Sequence, residues 1–267
     1  MTRKTTATLL AFMLLFCSAP AWGQQWQDSP EIAALFEKAG ANGTLVIYDV
    51  EAGRLIGYNQ ERAWTRYLPA STFKIPNSVI GLSTGVVADV DEALPYGGKP
   101  QMIKAWEKDM GLREAISISN VPVFQELARR IGPERMRAEI QRMGYGNGEI
   151  GSRVDLFWLE GPLSISAVEQ VLFLARLARG ELPQSREAQE QVREILLVEN
   201  GPDWALYAKT GTAMRARPGI GWWVGWLEKG DKIYPFAVNL DLNDLDTDGP
   251  RRMELARAAF KLLGFTL

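Results

Sequence analysis

The chain has 267 residues, of which 46% are hydrophobic and 23% are charged, an ordinary globular composition with enough apolar material for a core. Its formal net charge is −2, and no run of lysine or arginine marks a face for nucleic acid, so we exclude a nucleic-acid binder. It contains one cysteine and no histidine, so a serine nucleophile here cannot use imidazole as its base.

The first residues have the pattern of a secretory signal peptide. Arg3 and Lys4 precede an apolar run, and small residues stand before a cleavage point after Gly23. The run is short for a transmembrane helix, although an uncleaved N-terminal anchor is the alternative. We therefore expect a signal peptide over residues 1–23, export to the periplasm, and a mature domain over 24–267 without thiol, disulfide or membrane attachment.

The mature chain begins with a predicted helix and a β-hairpin. Pro30–Ala39 has helical spacing, with Ser29 as its N-cap and Gly40 after its end. Gly43–Asp49 is short and β-branched, and after a turn residues 55–59 return as a second strand.

From residue 71 to about residue 197 the pattern is mainly helical. Apolar and amphipathic stretches there end at glycines or are preceded by capping serines. The helices predicted in this segment are 73–82, 122–131, 133–143, 166–179 and 185–197.

The periodicity then changes to that of strands. The runs 204–209, 222–228 and 233–240 are strand-like, and the tryptophans of the second run are interpreted as a packed sheet face, with an interface as the alternative. A last amphipathic helix is predicted over 251–263, introduced by Gly249 and Pro250.

This order of elements predicts an α+β fold. We expect an antiparallel sheet of about five or more strands, flanked by the N- and C-terminal helices, because adjacent strands are joined by short turns and strands and helices are segregated. A large, mainly helical lobe over about 72–200 is inserted in the sheet lobe. No linker separates a second domain, so residues 24–267 are predicted to form one domain.

Ser71 and Lys74 stand three residues apart in an apolar stretch. If a helix begins near Ser71, both side chains lie on one face and the lysine amine reaches the hydroxyl. Burial beside Phe73 and Ile75 would lower the pKa of Lys74, which lets the amine act as a base. Taken alone, however, the pair is more simply explained by an N-cap serine and a surface lysine.

Two later triplets add polar groups. In Lys209-Thr210-Gly211, at the end of a predicted strand, the lysine and threonine offer a cation and a hydroxyl to an anion, and the glycine permits close approach of a ligand backbone. Ser119-Asn120-Val121 precedes a predicted helix, so Ser119 is also a candidate N-cap.

Ser-x-x-Lys, a serine-containing triplet and Lys-Thr-Gly occur here in the order found in serine β-lactamases and penicillin-binding proteins. The chain closely resembles the class D β-lactamases, the oxacillinase group, over essentially the whole mature region. The motifs that carry the resemblance are 69–78 (PASTFKIPNS), 119–124 (SNVPVF), 145–147 (YGN), 157–161 (FWLEG), 209–211 (KTG) and 221–226 (GWWVGW). The resemblance implies the fold shared by serine β-lactamases and penicillin-binding proteins.

The resemblance implies four catalytic residues. Ser71 would be the nucleophile, and Lys74 would carry a carbamate formed from CO2 on its neutral amine, serving as general base in acylation and deacylation. Trp158 would donate its indole N–H to that carbamate, and Ser119 would relay a proton toward the leaving nitrogen. The resemblance implies no bound cofactor and no metal.

The resemblance also implies a set of substrate-binding residues, which are Val121, Lys209, Thr210, Gly211, Thr212 and Arg252. The lysine and threonine would lie by the substrate carboxylate, and Arg252 would complete the anion site. We choose Arg252 over Arg251 because an apolar residue follows it by three positions, as in the family. Backbone N–H groups of Ser71 and Thr212 would form the oxyanion hole.

The activity implied is that of a serine β-lactamase, an amide hydrolase that opens penicillin-type antibiotics through an acyl-enzyme and gives antibiotic resistance. Two alternatives use the same serine: a membrane-associated β-lactam sensor that is acylated without turnover, and a penicillin-binding peptidase. The expected partner is a small β-lactam, with no nucleic acid, no metal and no membrane in the mature form, and the protein is expected to be a monomer or a homodimer.

Overall fold

The computed structural model describes residues 25–215 and 217–265, so the predicted signal peptide over residues 1–23 lies outside the described residues. Within these ranges a hairpin comes first, a long helical segment follows, and the remaining strands come last, with a helix near each end. The predicted α+β class is confirmed.

The strands of the described chain form one seven-stranded sheet. They are β1 (Gln25–Asp28), β2 (Gly43–Asp49), β3 (Arg54–Tyr58), β4 (Leu197–Asn200), β5 (Trp204–Ala213), β6 (Gly219–Lys229) and β7 (Lys232–Leu242). Their order across the sheet is β1-β3-β2-β7-β6-β5-β4. Because β2 pairs with β7, the N-terminal hairpin joins the C-terminal strands in the middle of the sheet.

The helices cover both faces of this sheet. They are α1 (Pro30–Ala39), α2 (Gln60–Trp64), α3 (Lys74–Ser83), α4 (Leu112–Ser117), α5 (Val121–Ile131), α6 (Pro133–Met143), α7 (Phe157–Glu160), α8 (Ala167–Ala178), α9 (Arg186–Ile195) and α10 (Leu245–Leu262), with 3-10 turns at Ala70–Phe73 and Lys104–Trp106. None of the helices described here has the length and apolar character needed to cross a membrane.

Two short edge strands were missed from the sequence. β1 runs parallel to β3, so the predicted antiparallel arrangement holds for the other pairs and the sheet is mixed. β4 pairs antiparallel with β5 at the opposite edge. Each of these strands has four residues with mainly exposed side chains, so neither shows the alternation of apolar and polar residues that predicts a strand.

The last helix begins earlier than predicted, at Leu245 rather than at residue 251. Asp244 is its N-cap and accepts a hydrogen bond from the backbone N–H of Thr247 at 2.8 Å. Pro250 lies inside the helix, where it removes one intrahelical hydrogen bond, and the capping carboxylate stabilises the first turn in compensation.

The tryptophans of β6 are part of two cores on opposite faces of the sheet. Trp222 and Trp226 pack into the core beneath the helical segment. Trp223 packs into the core beneath α1 and α10, as the alternation of side chains along a strand requires. All three are buried, so the cluster is core rather than an exposed interface.

The backbones of β5 and β6 pack closely at Gly225, and a substitution there tests this packing. A Cβ at this position would lie 1.9 Å from the carbonyl oxygen of Tyr207 in the neighbouring strand. We predict that Gly225→Ala lowers the free energy of unfolding by on the order of 3 kcal/mol, or Tm by about 6–12 °C, measured by calorimetry.

The matched control is Gly230→Ala, in the turn between β6 and β7. Its φ is +59° and nothing lies within 4 Å of a Cβ there. We therefore expect the free energy of unfolding to fall only by the cost of a left-handed backbone at alanine, about 1–2 kcal/mol. Equal losses in the two variants would show that the spacing of β5 and β6 accommodates a methyl group.

Candidate active site

A strained turn leads the chain into α3. Ala70, the first residue of the 3-10 turn, has a φ of +48° in the left-handed region, which costs a non-glycine residue free energy and persists only when the surroundings hold it. Two groups hold the turn: the indole N–H of Trp222 donates to the carbonyl of Leu68 at 2.8 Å, and the hydroxyl of Thr72 donates to that of Pro69 at 2.8 Å. The next residue along, Ser71, is partly exposed to solvent.

Lys74 is the first residue of α3, and its side chain is completely buried. Its Nζ donates to Ser71 Oγ at 2.8 Å, as the predicted spacing of three residues requires. Burial holds the pKa of Lys74 well below its usual range, and the positive charge of Lys209 lowers it further. The amine is therefore poised to be neutral beside the hydroxyl.

Aromatic side chains pack around residues 73 and 74. Lys74 Nζ lies 5.3 Å from the ring centroid of Phe124, and the preceding residue, Phe73, stacks on Trp158 with 5.3 Å between ring centroids. The Trp158 side chain is buried, and its indole N–H has no acceptor among the described residues. A buried indole N–H usually has a partner, so this donor indicates an acceptor that the described protein atoms do not supply.

A second layer of buried polar groups lies behind the turn. The side-chain amide of Gln170, on α8, donates to Thr72 Oγ1 at 2.9 Å and to the hydroxyl of Tyr145 at 3.4 Å. All three side chains are buried. Because Thr72 in turn binds Pro69, Gln170 supports the turn that presents Ser71, a positioning role that the sequence analysis missed.

Ser119 lies at the junction of α4 and α5. The predicted alternative, that it caps the helix, is wrong: Asn120 is the N-cap of α5, accepting from the backbone N–H of Val123 at 3.1 Å. Ser119 adopts a φ of +58°, and its Oγ accepts a hydrogen bond from Lys209 Nζ at 3.1 Å. Val121, the remaining residue of the triplet, is the partly buried first residue of α5.

Lys209 lies in the middle of β5 rather than at the strand end that the sequence predicted, since β5 continues to Ala213. Its Nζ also donates to the hydroxyl of Thr210 at 3.3 Å. Burial, together with the nearby charge of Arg252, lowers the pKa of Lys209 to about 7. A bound carboxylate would raise this pKa again, because an opposite charge favours the ammonium.

Beyond Tyr207, β5 has an open edge. β4 pairs with it only as far as Tyr207, and the backbone N–H of Ala208 points away from β6, to the carbonyl of Leu196 at 3.0 Å. Backbone groups alternate in direction along a strand, and the pairing of β5 with β6 is continuous. The backbone groups of Thr210 and Thr212 therefore face the open edge too, where a substrate can pair with them.

Gly211 is required for a different reason from the one predicted. A Cβ at this position would lie 2.9 Å from the carbonyl oxygen of Pro69 and 2.9 Å from Cγ2 of Thr72. The space is occupied by the 3-10 turn rather than left for a ligand backbone. The missing side chain lets β5 approach the turn that carries Ser71.

The two candidate arginines differ in their surroundings. Arg252 is buried, and its Nη1 donates to the carbonyl of Gly211 at 2.8 Å and to Thr212 Oγ1 at 2.9 Å. Arg251 is partly exposed and forms an ion pair with Asp248 at 2.8 Å. The geometry therefore puts Arg252, not Arg251, beside the Lys-Thr-Gly triplet.

The site combines the parts needed for acyl transfer. It holds a partly exposed serine in contact with a buried lysine, an open strand edge with free backbone donors, and two cations, Lys209 and Arg252, at that edge. Such a site can bind an anionic carbonyl compound, form an ester on Ser71 and stabilise the oxyanion. Within residues 25–215 and 217–265, no group of three or more acidic, histidine or cysteine side chains is arranged to hold a metal ion.

Comparison with known proteins gives concordant matches. The family model described as the penicillin binding protein transpeptidase domain matches residues 41–261. Beta-lactamase OXA-5 from Pseudomonas aeruginosa is 41% identical over 244 residues, 90% of this chain and 91% of the relative, and Beta-lactamase OXA-48 from Klebsiella pneumoniae is 40% identical over 233 residues, 87% of this chain and 88% of the relative.

A solved structure agrees with these matches. The crystal structure of FUS-1 (OXA-85), a class D beta-lactamase from Fusobacterium nucleatum subsp. polymorphum, matches this chain with a TM-score of 0.86 and 45% sequence identity. The match covers 89% of this chain and 98% of that chain.

The contact between Gln170 and Thr72 is testable. Thr72→Val keeps the side-chain shape but removes the nearer of the two acceptors of the buried Gln170 amide and the hydroxyl that donates to Pro69. We therefore expect a stability loss of about 1–3 kcal/mol and, because Ser71 is displaced, a loss of acylation rate of about 10-fold or more.

Thr72→Ser, which keeps the hydroxyl, should restore most of the acylation rate. Stopped-flow acylation by a penicillin and urea unfolding measure the two effects separately. A valine variant that loses stability while acylating at the wild-type rate would limit the network to a structural role.

Proposed function

The chain belongs to the class D serine β-lactamases, and from this premise we propose that it hydrolyses the β-lactam amide of penicillin-type antibiotics through an ester on Ser71, giving antibiotic resistance. The observation that carries the proposal is the 2.8 Å contact between the buried Lys74 amine and the partly exposed Ser71 hydroxyl. The relatives above are named β-lactamases, which favours hydrolysis over the peptidase alternative and gives the sensor alternative no support.

Substrate binding begins with the ring carboxylate. Lys209, Thr210 and Arg252 offer a cation, a hydroxyl and a second cation along the open edge of β5. Both cations are largely buried, so their attraction for an anion is screened less than it would be at the surface. Carboxylate binding raises the lowered pKa of Lys209 and returns it to the charged form.

The carbonyl carbon of the substrate then faces Ser71. A bond forms between Ser71 Oγ and this carbon as the basic group of Lys74 takes the hydroxyl proton. The bond from carbon to the ring nitrogen breaks as that nitrogen takes a proton. The backbone N–H groups of Ser71 and Thr212 receive the developing oxyanion, since the Thr212 group faces the open edge. Ser119, already hydrogen bonded to Lys209 Nζ, relays the proton to the nitrogen. Water then adds to the ester carbon as the basic group of Lys74 takes one of its protons, the bond from carbon to Ser71 Oγ breaks, and this proton passes to Ser71 Oγ as the opened product leaves.

We further propose that Lys74 is carboxylated by CO2. A carbamate at this position would supply an anionic general base for both steps. Two observations support a carbamate on Lys74. Burial lowers the pKa of Lys74 and so favours the neutral amine that reacts with CO2. The indole N–H of Trp158, which packs on Phe73, is buried and has no acceptor among the described residues. Trp158 would hold the modified side chain by donating this hydrogen bond.

The proposed location is the periplasm, reached through the signal peptide predicted over residues 1–23. This compartment suits a mature chain whose predicted cleavage removes its one cysteine. We propose that the protein acts there on small β-lactams as a monomer or a homodimer.

The nucleophile is tested by Ser71→Ala. We expect the fold to be kept and penicillin turnover to fall by at least about 1,000-fold, because the acyl route is lost. Mass spectrometry of the intact protein should show a transient penicillin adduct on the wild type and none on the variant.

The matched control is Ser78→Ala, which removes a hydroxyl of α3 that donates to the carbonyl of Lys74; it should keep turnover within about threefold of wild type. Near wild-type turnover by Ser71→Ala would refute the proposal, and a long-lived adduct on the wild type would favour the sensor or the peptidase.

The carbamate is tested by removing CO2. As pH falls through the lowered pKa of Lys74 the amine takes a proton and cannot hold CO2, so activity in CO2-depleted acidic buffer should fall and should return with bicarbonate. In Trp158→Phe the indole donor is lost, and the bicarbonate concentration for half-maximal activity should rise by about 10-fold or more.

Trp64→Phe, at a half-exposed indole, should leave the bicarbonate response unchanged. Carbon-13 NMR with labelled bicarbonate observes the carbamate directly. Absence of this signal at neutral pH, together with activity that ignores bicarbonate, would exclude the modification.

A further inference from the structure

A cavity of about 290 Å³ lies at the open edge of β5, and we call it the edge cavity. It is lined by the end of α4, the junction of α9 and β4, part of β5 and one residue each of β6 and α10. Its larger apolar lining residues include Ile116, Leu197, Val198, Trp223 and Met253. Two residues of the substrate site, Lys209 and Thr210, line it as well.

Three apolar side chains that line the edge cavity are exposed to solvent. Leu197 is 46% exposed, Val198 55% and Met253 36%. Scattered apolar residues on a surface need no explanation, but a cluster around a concave site beside polar binding groups is typical of a ligand subsite. Apart from Lys209 the lining carries no charged side chain, so the cavity suits an uncharged group.

The order of groups along β5 shows which part of a substrate reaches the cavity. The backbone of Thr212 faces the open edge at the end where the reacting carbonyl binds. Thr210 faces the same edge two residues earlier, at the carboxylate, and Ala208, a further two residues back, lines the edge cavity. The cavity therefore lies beyond the carboxylate, on the side away from the oxyanion.

Bicyclic β-lactams of the cephalosporin type carry a substituent on the ring carbon next to the one that bears the carboxylate. With the carbonyl at Ser71 and the carboxylate at Lys209, this substituent projects past the carboxylate. We propose that the edge cavity is the subsite for an apolar substituent at this position and that Leu197 and Met253 contribute to selectivity for it. The proposal rests on the proposed function.

The size of the cavity agrees with this assignment. Whole drug-sized ligands occupy sites of about 300–1,000 Å³, so a cavity of about 290 Å³ has room for one aromatic or branched aliphatic group. Differences of this kind in apolar contact change kcat/KM by about 10–200-fold.

The test uses two cephalosporins with the same acyl side chain, one with a methyl group and one with a styryl group at this ring carbon. Leu197→Ala and Met253→Ala remove apolar contacts, and each should lower kcat/KM for the styryl compound by about 10-fold. The methyl compound and a penicillin with the same acyl chain should change by less than about twofold, because neither fills the cavity.

Leu197→Trp fills the cavity from its rim and should give the same selective loss. Leu262→Ala, at an exposed leucine of α10 that does not line the cavity, is the matched control and should change nothing. Thermal unfolding of each variant separates a loss of fold from a loss of binding.

One outcome is that the wild type hydrolyses the penicillin but the variants change kcat/KM equally for the styryl and methyl compounds, or not at all. This outcome would overturn the subsite and leave the proposed function intact. A wild type that hydrolyses no β-lactam would instead overturn the proposed function, and the subsite with it.

Discussion

Burial of the Lys74 side chain is the constraint on which the site depends. Burying an ammonium here costs free energy, so the lysine amine is driven toward its neutral form. The neutral amine can then act as the base in a chain that has no histidine. Phe124 of α5 lies beside the lysine, and Trp158 of α7 packs on the preceding residue, Phe73. The site also requires that Ser71 stay within reach of the lysine yet open to solvent, which a regular helix start would not provide by itself.

The strained 3-10 turn meets this second requirement, and contacts from the rest of the fold offset the free energy of its strain. Trp222 holds the turn from the sheet, Gln170 holds it through Thr72 from α8, and Gly211 lets β5 lie against it. The hydrogen bonds that position the nucleophile therefore come from residues far away in sequence. The strand that packs against the turn at Gly211 also has an open edge, so β5 serves both the support of Ser71 and the proposed binding of a substrate anion.

Local pattern predicted much of this molecule. The capping serine and glycine of α1, the hairpin, and the spacing of Ser71 and Lys74 follow from neighbours in the chain, and the motif resemblance named Arg252, which lies beside the Lys-Thr-Gly triplet. The remainder depends on distant partners. A glutamine in an apolar helix carries no sign that it supports a turn 98 residues away, and the close approach of Gly211 to Pro69 is visible only in three dimensions. The early start of α10 was missed because a capping aspartate outweighed an internal proline.

The pairing of β2 with β7 has a consequence for how the chain is made. The N-terminal hairpin leaves the ribosome first, yet its sheet neighbour ends at Leu242, so until almost the whole chain has been synthesised the hairpin has one open edge and no sheet to join. An isolated hairpin is only marginally stable in water. The sheet therefore closes only after nearly the whole chain has been synthesised, and the two cores on its faces cannot be completed before then.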